Sequence, residues 1–175
     1  MRRLADQERI RRFLRALGAA ASSPTRIYLT GGSTAVLMGW RPTTIDVDLR
    51  IEGNEDPILQ AIPGLKEELQ LNVELAAPPD FIPELPGWRE RSPFIAQEGK
   101  LEFFHFDPYS QLLAKIERGH SQDLADVRRM IEEGLVDPAK ARKLFEEIEP
   151  LLYRYPAIDP GSFRRAVEAA LGKKK

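Results

Sequence analysis

Residues 30–52 decide the fold, and they read TGGSTAVLMGWRPTTIDVDLRIE. The stretch opens on a Gly-Gly-Ser turn, runs through an apolar segment and ends where apolar residues alternate with Asp46 and Asp48. A period of two is typical of a β-strand with one buried face, so both carboxylates leave the strand on the same side. Residues 26–30 form a short β-rich run. The turn is therefore predicted to join a strand to a short buried helix, with Ser33 at the helix N-cap.

The two aspartates admit two interpretations. Neighbouring carboxylates repel each other unless a cation lies between them. A hard cation such as Mg²⁺ suits this pair, because it takes oxygen ligands and often combines one or two carboxylates with substrate phosphates. The alternative is a solvated strand face on which Asp46 and Asp48 have no chemical role.

The Gly-Gly-Ser turn also has two interpretations. Glycines let a phosphate approach the backbone, and the start of a helix offers oriented N–H donors. The Ser33 hydroxyl would then bind a phosphate oxygen. In the alternative it only caps the helix.

The composition narrows the class of protein. The chain has 175 residues, a formal charge of −1, 42% hydrophobic and 30% charged residues, and no cysteine. These values are ordinary for a soluble globular protein, and the missing cysteines exclude disulfides, thiolate zinc sites and cysteine nucleophiles. A nucleic-acid partner would need a local basic patch. The charged N-terminus lacks a signal-peptide core, and no apolar run nears the roughly 20 residues that span a bilayer. We therefore expect a cytoplasmic protein without a membrane partner.

The rest of the chain predicts further helices and strands. Helical periodicity covers residues 4–17 and 57–69, a strand covers 71–76, and a hairpin covers 92–97 and 100–106. Beyond residue 107 the pattern is helical, over 108–118, 122–133, 138–152 and 160–171. Four Asp-Pro pairs each combine an N-cap side chain with a proline at the first helical position; they are Asp56-Pro57, Asp107-Pro108, Asp137-Pro138 and Asp159-Pro160. The order predicts an α/β core followed by a helical C-terminal part.

Together, the turn and the aspartates form G-G-S-x12-D-x-D in a strand–turn–helix–strand context. This pattern resembles the nucleotidyltransferase superfamily related to polymerase β. The resemblance implies a mixed sheet flanked by helices in residues 1–107, with residues 108–175 as a helical part packed on that core. It also implies transfer of a nucleoside monophosphate from an NTP. Gly31, Gly32 and Ser33 would bind the β- and γ-phosphates, and Asp46 and Asp48 would ligate Mg²⁺ or Mn²⁺.

The family signature includes a third carboxylate on a later strand. Glu74 in LNVELA is the best candidate, because Asn72 and Glu74 share the polar face of that predicted strand. By resemblance, Glu74 would complete the metal site or act as a base on the attacking hydroxyl. The family more often has aspartate at this place, and Asp80 and Glu102 are the fallbacks.

A second cluster occupies residues 115–130, KIERGHSQDLADVRRM. Its lysine and D-x-x-D motif look like those of the AbiEii-type nucleotidyltransferases, which often serve as toxins in toxin–antitoxin pairs. The resemblance gives Lys115 a contact with the triphosphate, and gives Asp123 and Asp126 a role in orienting the nucleotide. The alternative is a salt-bridged pair of helices, with Asp123 favoured near a helix start.

These observations predict a Mg²⁺-dependent nucleotidyltransferase acting on RNA, such as tRNA, or on protein. As a toxin it would have a cognate antitoxin as partner. Two other classes stay open: an enzyme that modifies a small molecule, as antibiotic nucleotidyltransferases do, and a non-catalytic nucleotide-binding or antitoxin-like module.

Overall fold

The computed structural model describes residues 3–173, and within them the chain forms one five-stranded sheet and seven α-helices. The strands are β1 (Thr25–Thr30), β2 (Asp46–Glu52), β3 (Asn72–Leu75), β4 (Phe94–Glu98) and β5 (Leu101–His105). The helices are α1 (Gln7–Ala20), α2 (Gly32–Met38), α3 (Asp56–Leu69), α4 (Pro108–Arg118), α5 (Ser121–Glu132), α6 (Pro138–Ile148) and α7 (Pro160–Leu171). The predicted α/β fold with a helical C-terminus is confirmed.

The sheet is mixed, with the strand order β3-β2-β1-β5-β4. β1 runs antiparallel to β2 and parallel to β5, while β2 and β3 are parallel to each other. β4 and β5 form the predicted antiparallel hairpin. Strands β1 and β2 therefore lie in the middle of the sheet, flanked on both sides, and β3 is an edge strand.

Contacts divide the chain into two compact units, of which the first contains the whole sheet. It comprises the chain up to Ala77 together with Ser92–Phe106. Alternate residues of its strands, such as Leu29 and Val47, join the apolar sides of α1 and α3 in one buried core. Since side chains alternate along a strand, the residues between them belong to the opposite face of the sheet.

The second unit is helical. It comprises Pro78–Arg91 and the chain from Asp107 onward, and α4 packs against α5, α6 and α7 within it. Phe145 and Phe163 meet edge to face with ring centroids 4.9 Å apart. The single helix predicted over 138–152 is instead α6 followed by a 3₁₀ helix at Glu149–Arg154.

Three of the four Asp-Pro caps are confirmed. The side chains of Asp107, Asp137 and Asp159 each accept a backbone N–H from the first turn of α4, α6 and α7. Asp56 is not a cap, because Glu55 is already in the right-handed helical conformation and takes the cap position. The Asp56 carboxylate instead lies in the first turn, where its negative charge interacts favourably with the helix dipole.

The N-terminal helix begins later than its periodicity indicates. Asp6 caps α1 by accepting the backbone N–H of Arg9, so the helix starts at Gln7 and leaves Leu4 exposed. Just before the helix, Ala5 forms an isolated antiparallel bridge with Thr44, which precedes β2. No helix within residues 3–173 is long and apolar enough to cross a bilayer.

Candidate active site

Strand pairing gathers the predicted acidic residues on one sheet face. Asp48 lies opposite Thr30 on β1 and opposite Glu74 on β3, while Asp46 lies opposite Asn72. Paired residues of neighbouring strands project to the same side, with strand axes roughly 4.8 Å apart. Asp46 and Asp48 are half-buried and Glu74 is exposed. Three carboxylates from two adjacent strands thus share one face of the sheet, opposite the face that packs against α1 and α3.

The glycine turn lies directly against this acidic face. A Cβ atom placed on Gly31 would lie 2.9 Å from the Asp48 Oδ2 atom, and Gly31 has a φ of +67°, in the left-handed region. A side chain there is therefore disfavoured by the backbone conformation and would push the Asp48 carboxylate aside. The structure brings the turn and the second aspartate together.

Gly32 is also enclosed, by residues that follow α2. A Cβ atom on Gly32 would lie 2.0 Å from Thr44 Oγ1 and 3.1 Å from Arg41 Nη1. The Thr44 hydroxyl also donates to the backbone carbonyl of Asp46 at 3.1 Å. Thr44 and Arg41 thus hold the turn beside the start of β2.

Ser33 does not occupy the predicted N-cap. Gly31 is the cap residue, so α2 begins at Gly32 and Ser33 lies within its first turn. The Ser33 side chain is fully buried and its hydroxyl donates to the carbonyl of Thr30 at 2.9 Å. Because α2 begins at Gly32, two residues after β1 ends, the Ser33 hydroxyl points back to the last residue of β1.

Asn72 contacts two of these carboxylates, although the sequence pattern does not assign it a role. Its side-chain Nδ2 donates to Asp46 Oδ1, and it also donates to Glu74 Oε1 at 3.2 Å. The two-residue spacing of Asn72 and Glu74, equal to that of Asp46 and Asp48, is the signal that could have pointed to it. Only the register of β2 against β3 shows that Asn72 faces Asp46.

The donor set is consistent with a hard cation that also binds substrate. Within residues 3–173, no three His, Cys, Asp or Glu side chains are grouped so that they could hold a metal ion. Mg²⁺, however, commonly takes one or two carboxylates and completes its coordination with phosphate oxygens and water. Asp46 and Asp48 provide two such carboxylates on one strand face, so they fit an ion shared with a nucleotide.

The fallback carboxylates are placed differently. Glu102 on β5 pairs with Arg26 at 3.8 Å. Asp80 lies in the 3₁₀ helix Pro78–Asp80 of the helical unit. Of the three candidates, Glu74 is the one that strand pairing places opposite Asp48.

His105 lies on the core face of the sheet. It pairs with Leu29, is almost fully buried, and places Nδ1 3.0 Å from the Thr34 hydroxyl. Burial, with the nearby charge of Arg11, lowers its pKa to about 4. The imidazole is therefore neutral near pH 7 and belongs to the packing beneath α2.

The lysine and aspartates of the second predicted cluster form a buried ion-pair network between α4 and α5. Lys115 Nζ lies 2.9 Å from Asp126 Oδ2 and 3.8 Å from Asp123 Oδ1. Arg118 binds both oxygens of Asp123, at 2.8 and 2.6 Å. The side chains of Lys115, Asp123 and Asp126 are 7%, 2% and 1% exposed, and with Arg118 the network balances two negative charges against two positive ones.

The pKa of Asp123 reflects this network. Burial raises the pKa, but the hydrogen bonds and charge of Arg118, with the charges of Lys115 and His120, outweigh it and hold the pKa below its usual value. Asp123 is therefore ionised in the folded protein. The cluster has the geometry expected of a helix-joining salt bridge.

The chain is similar to one protein family over most of its length. A family model described as "Nucleotidyltransferase of unknown function (DUF6036)" matches residues 8–157. This range includes the glycine turn, β2, β3 and the buried network of α4 and α5. No curated protein and no solved structure matches the chain.

Proposed function

Because the chain belongs to the DUF6036 family of nucleotidyltransferases of unknown function, we propose that it transfers a nucleoside monophosphate from an NTP to an acceptor hydroxyl with the help of Mg²⁺. One observation carries the proposal. The turn at Gly31 abuts the Asp48 carboxylate, so a nucleotide phosphate on the turn would lie beside the aspartates. A phosphate site and a cation site at one place are what phosphoryl transfer requires.

Each side chain has a distinct task in this proposal. Asp46 and Asp48 hold the cation against the nucleotide, and the glycines leave the backbone open to the phosphates. Bound there, Mg²⁺ or Mn²⁺ would neutralise the negative charge that develops during transfer. The acceptor oxygen bonds to the α-phosphorus as the bond to the β-phosphate breaks, and pyrophosphate leaves. The acceptor proton passes to the Glu74 carboxylate, which faces solvent beside Asp48.

Asparagine substitutions at Asp46 and Asp48 test this mechanism, because they keep the side-chain shape and remove the charge. We expect each variant to lose at least about 10²-fold in transfer rate, the range found when one group that stabilises transition-state charge is removed. The measurement is incorporation of label from α-³²P NTPs in the presence of Mg²⁺.

Glu52→Gln is the matched control, because Glu52 lies on the same strand and pairs with Arg50 at 3.6 Å. It should transfer at the wild-type rate. If Asp46→Asn or Asp48→Asn also labelled acceptor at the wild-type rate, the mechanism would be wrong.

The acceptor is proposed to be RNA or protein, with this chain as the toxin of a toxin–antitoxin pair. The AbiEii-like sequence motif at Lys115, Asp123 and Asp126 supports this by the pattern of its residues alone, since their side chains are engaged in the buried ion-pair network. The test incubates the protein with each labelled NTP, Mg²⁺, and total RNA or cell lysate. Label removed by ribonuclease identifies an RNA acceptor, and label removed by protease identifies a protein acceptor. Label on a small solute would favour the antibiotic-type alternative.

A non-catalytic nucleotide-binding module is the second candidate. It is favoured by the Asn72 side chain, which donates hydrogen bonds to both Asp46 and Glu74. Asn72 therefore lies between these two carboxylates, whereas three metal-binding carboxylates would be grouped directly around one ion. Nucleotide binding without labelling under every condition would support this candidate over the enzyme.

A further inference from the structure

We infer that Asn72 is a positioning residue, which holds the Asp46 carboxylate in place for cation binding and fixes the Glu74 carboxylate beside it. The inference rests on the proposed function, since it concerns how the same acidic site is organised. It assigns a task to a neutral side chain outside the acidic motif.

The placement of Asn72 follows from the sheet. The parallel register puts its Cα directly opposite that of Asp46, and Glu74 follows two residues later on the same face. Asn72 thus lies next to one acid across the strands and next to another along its own strand. The register of β3 against β2 fixes this arrangement. A slip of one residue would turn every β3 side chain to the other face of the sheet.

The chemistry of a carboxamide suits this place. The amide nitrogen carries two hydrogens, and the side chain donates to one oxygen of each acid, Asp46 Oδ1 and Glu74 Oε1. A hydrogen bond to an ionised carboxylate is about twice as strong as one between neutral groups. The amide therefore stabilises two neighbouring negative charges without adding a charge of its own.

Two consequences follow for the site. Engagement of Asp46 Oδ1 limits the rotation of this carboxylate and leaves its Oδ2 for a cation. Partners that orient a metal-binding side chain typically contribute 10- to 100-fold in metal affinity. Removing the Asn72 amide should therefore weaken cation binding while both carboxylates remain.

The experiment measures Mn²⁺ binding to the full chain by electron paramagnetic resonance of the free ion, alongside the thermal unfolding midpoint. Asn72→Leu keeps the side-chain size and removes both donors, and Asn72→Ala removes the side chain. We expect both to bind Mn²⁺ about 10- to 100-fold more weakly than wild type and to stay folded at the assay temperature, although the loss of two hydrogen bonds lowers the unfolding midpoint by a few degrees. Transfer by Asn72→Leu should recover at saturating Mn²⁺, unlike transfer by Asp48→Asn.

The matched control is Asn54→Ala, at the chain's other asparagine, which is exposed in the segment between β2 and α3. It should bind Mn²⁺ as wild type does. Wild-type affinity in Asn72→Leu, or a loss of affinity that is explained by unfolding at the assay temperature, would overturn this inference while leaving the proposed function intact, provided that Asp48→Asn abolishes binding. A wild-type protein without saturable Mn²⁺ binding, both alone and with a non-hydrolysable NTP, would overturn both this inference and the metal chemistry of the proposed function.

Discussion

Gly32 and Gly64 both lie in helices, but their surroundings are opposite. A Cβ atom on Gly32 would collide with Thr44, at 2.0 Å from Oγ1 and 2.7 Å from Cβ. A Cβ atom on Gly64, inside α3, would meet nothing within 4 Å. At the scale of single residues, glycine is therefore required at position 32 by packing, because Thr44, just before β2, leaves no room for a side chain.

Gly32→Ala should destabilise the protein. The added methyl must displace Thr44, whose hydroxyl donates to Asp46 and whose backbone bridges Ala5. Overpacking of this kind costs about 1–3 kcal/mol of unfolding free energy, which urea denaturation would measure. We also expect less transfer activity at a given Mg²⁺ concentration, since the start of β2 shifts with Thr44.

Gly64→Ala is the control for this substitution. Alanine is favoured over glycine inside a helix by about 0.5–1 kcal/mol, and the site has room for it. It should therefore raise the unfolding free energy. A Gly32→Ala protein as stable as wild type would contradict the steric argument.

At the scale of elements, local patterns predicted much of the fold. The helices at 108–118 and 160–171 have the predicted bounds, because a proline start and a regular apolar period are local properties. The partnership of Asn72 with Asp46 was not predictable in this way. It depends on which strand pairs with β2 and in what register, and both follow from the packing of the whole sheet.

The cluster at Lys115 shows another limit of sequence patterns. An i, i+3 aspartate pair near a lysine fits both a nucleotide site and a salt bridge between helices. Burial distinguishes the two only after the helices are placed, and here Lys115 is 7% exposed. The ion pairs with Asp123 and Asp126 thus join α4 to α5 inside the helical unit.

Lys115→Met should strongly destabilise that unit. Methionine replaces the stem but leaves Asp126 without the ammonium group 2.9 Å away, and breaking one side of a buried ion pair costs about 3–5 kcal/mol. The measurement is the free energy of unfolding in urea, followed by circular dichroism.

Arg129→Ala provides the comparison on α5, the helix that carries Asp126. Arg129 and Glu133 form an i, i+4 pair at 2.7 Å with both side chains 47% exposed, so its loss should cost at most about 0.5 kcal/mol. If Lys115→Met kept wild-type stability and lost nucleotide binding, Lys115 would instead belong to the nucleotide site.

At the scale of the whole molecule, His105 links stability to pH. The folded protein holds its pKa at about 4, against an ordinary value of 6.5, because burial and the charge of Arg11 disfavour the imidazolium. Between these two values the unfolded chain binds a proton that the folded chain does not. Stability is therefore lost as the pH falls from about 6.5 towards 4.

We expect this one group to remove about 3 kcal/mol of unfolding free energy between pH 7 and pH 4, or about 1.4 kcal/mol for each pH unit inside the window. His105→Gln keeps a polar side chain at this position and cannot titrate there, so its stability should fall less steeply over the same range. His120→Gln is the control, because it replaces the chain's only other histidine at an exposed position and should leave most of the wild-type slope in place. Urea unfolding at half-unit pH steps gives the three slopes. Equal slopes for wild type and His105→Gln would show that the acid sensitivity arises from other groups, and that the imidazole beneath α2 accepts a proton without loss of packing.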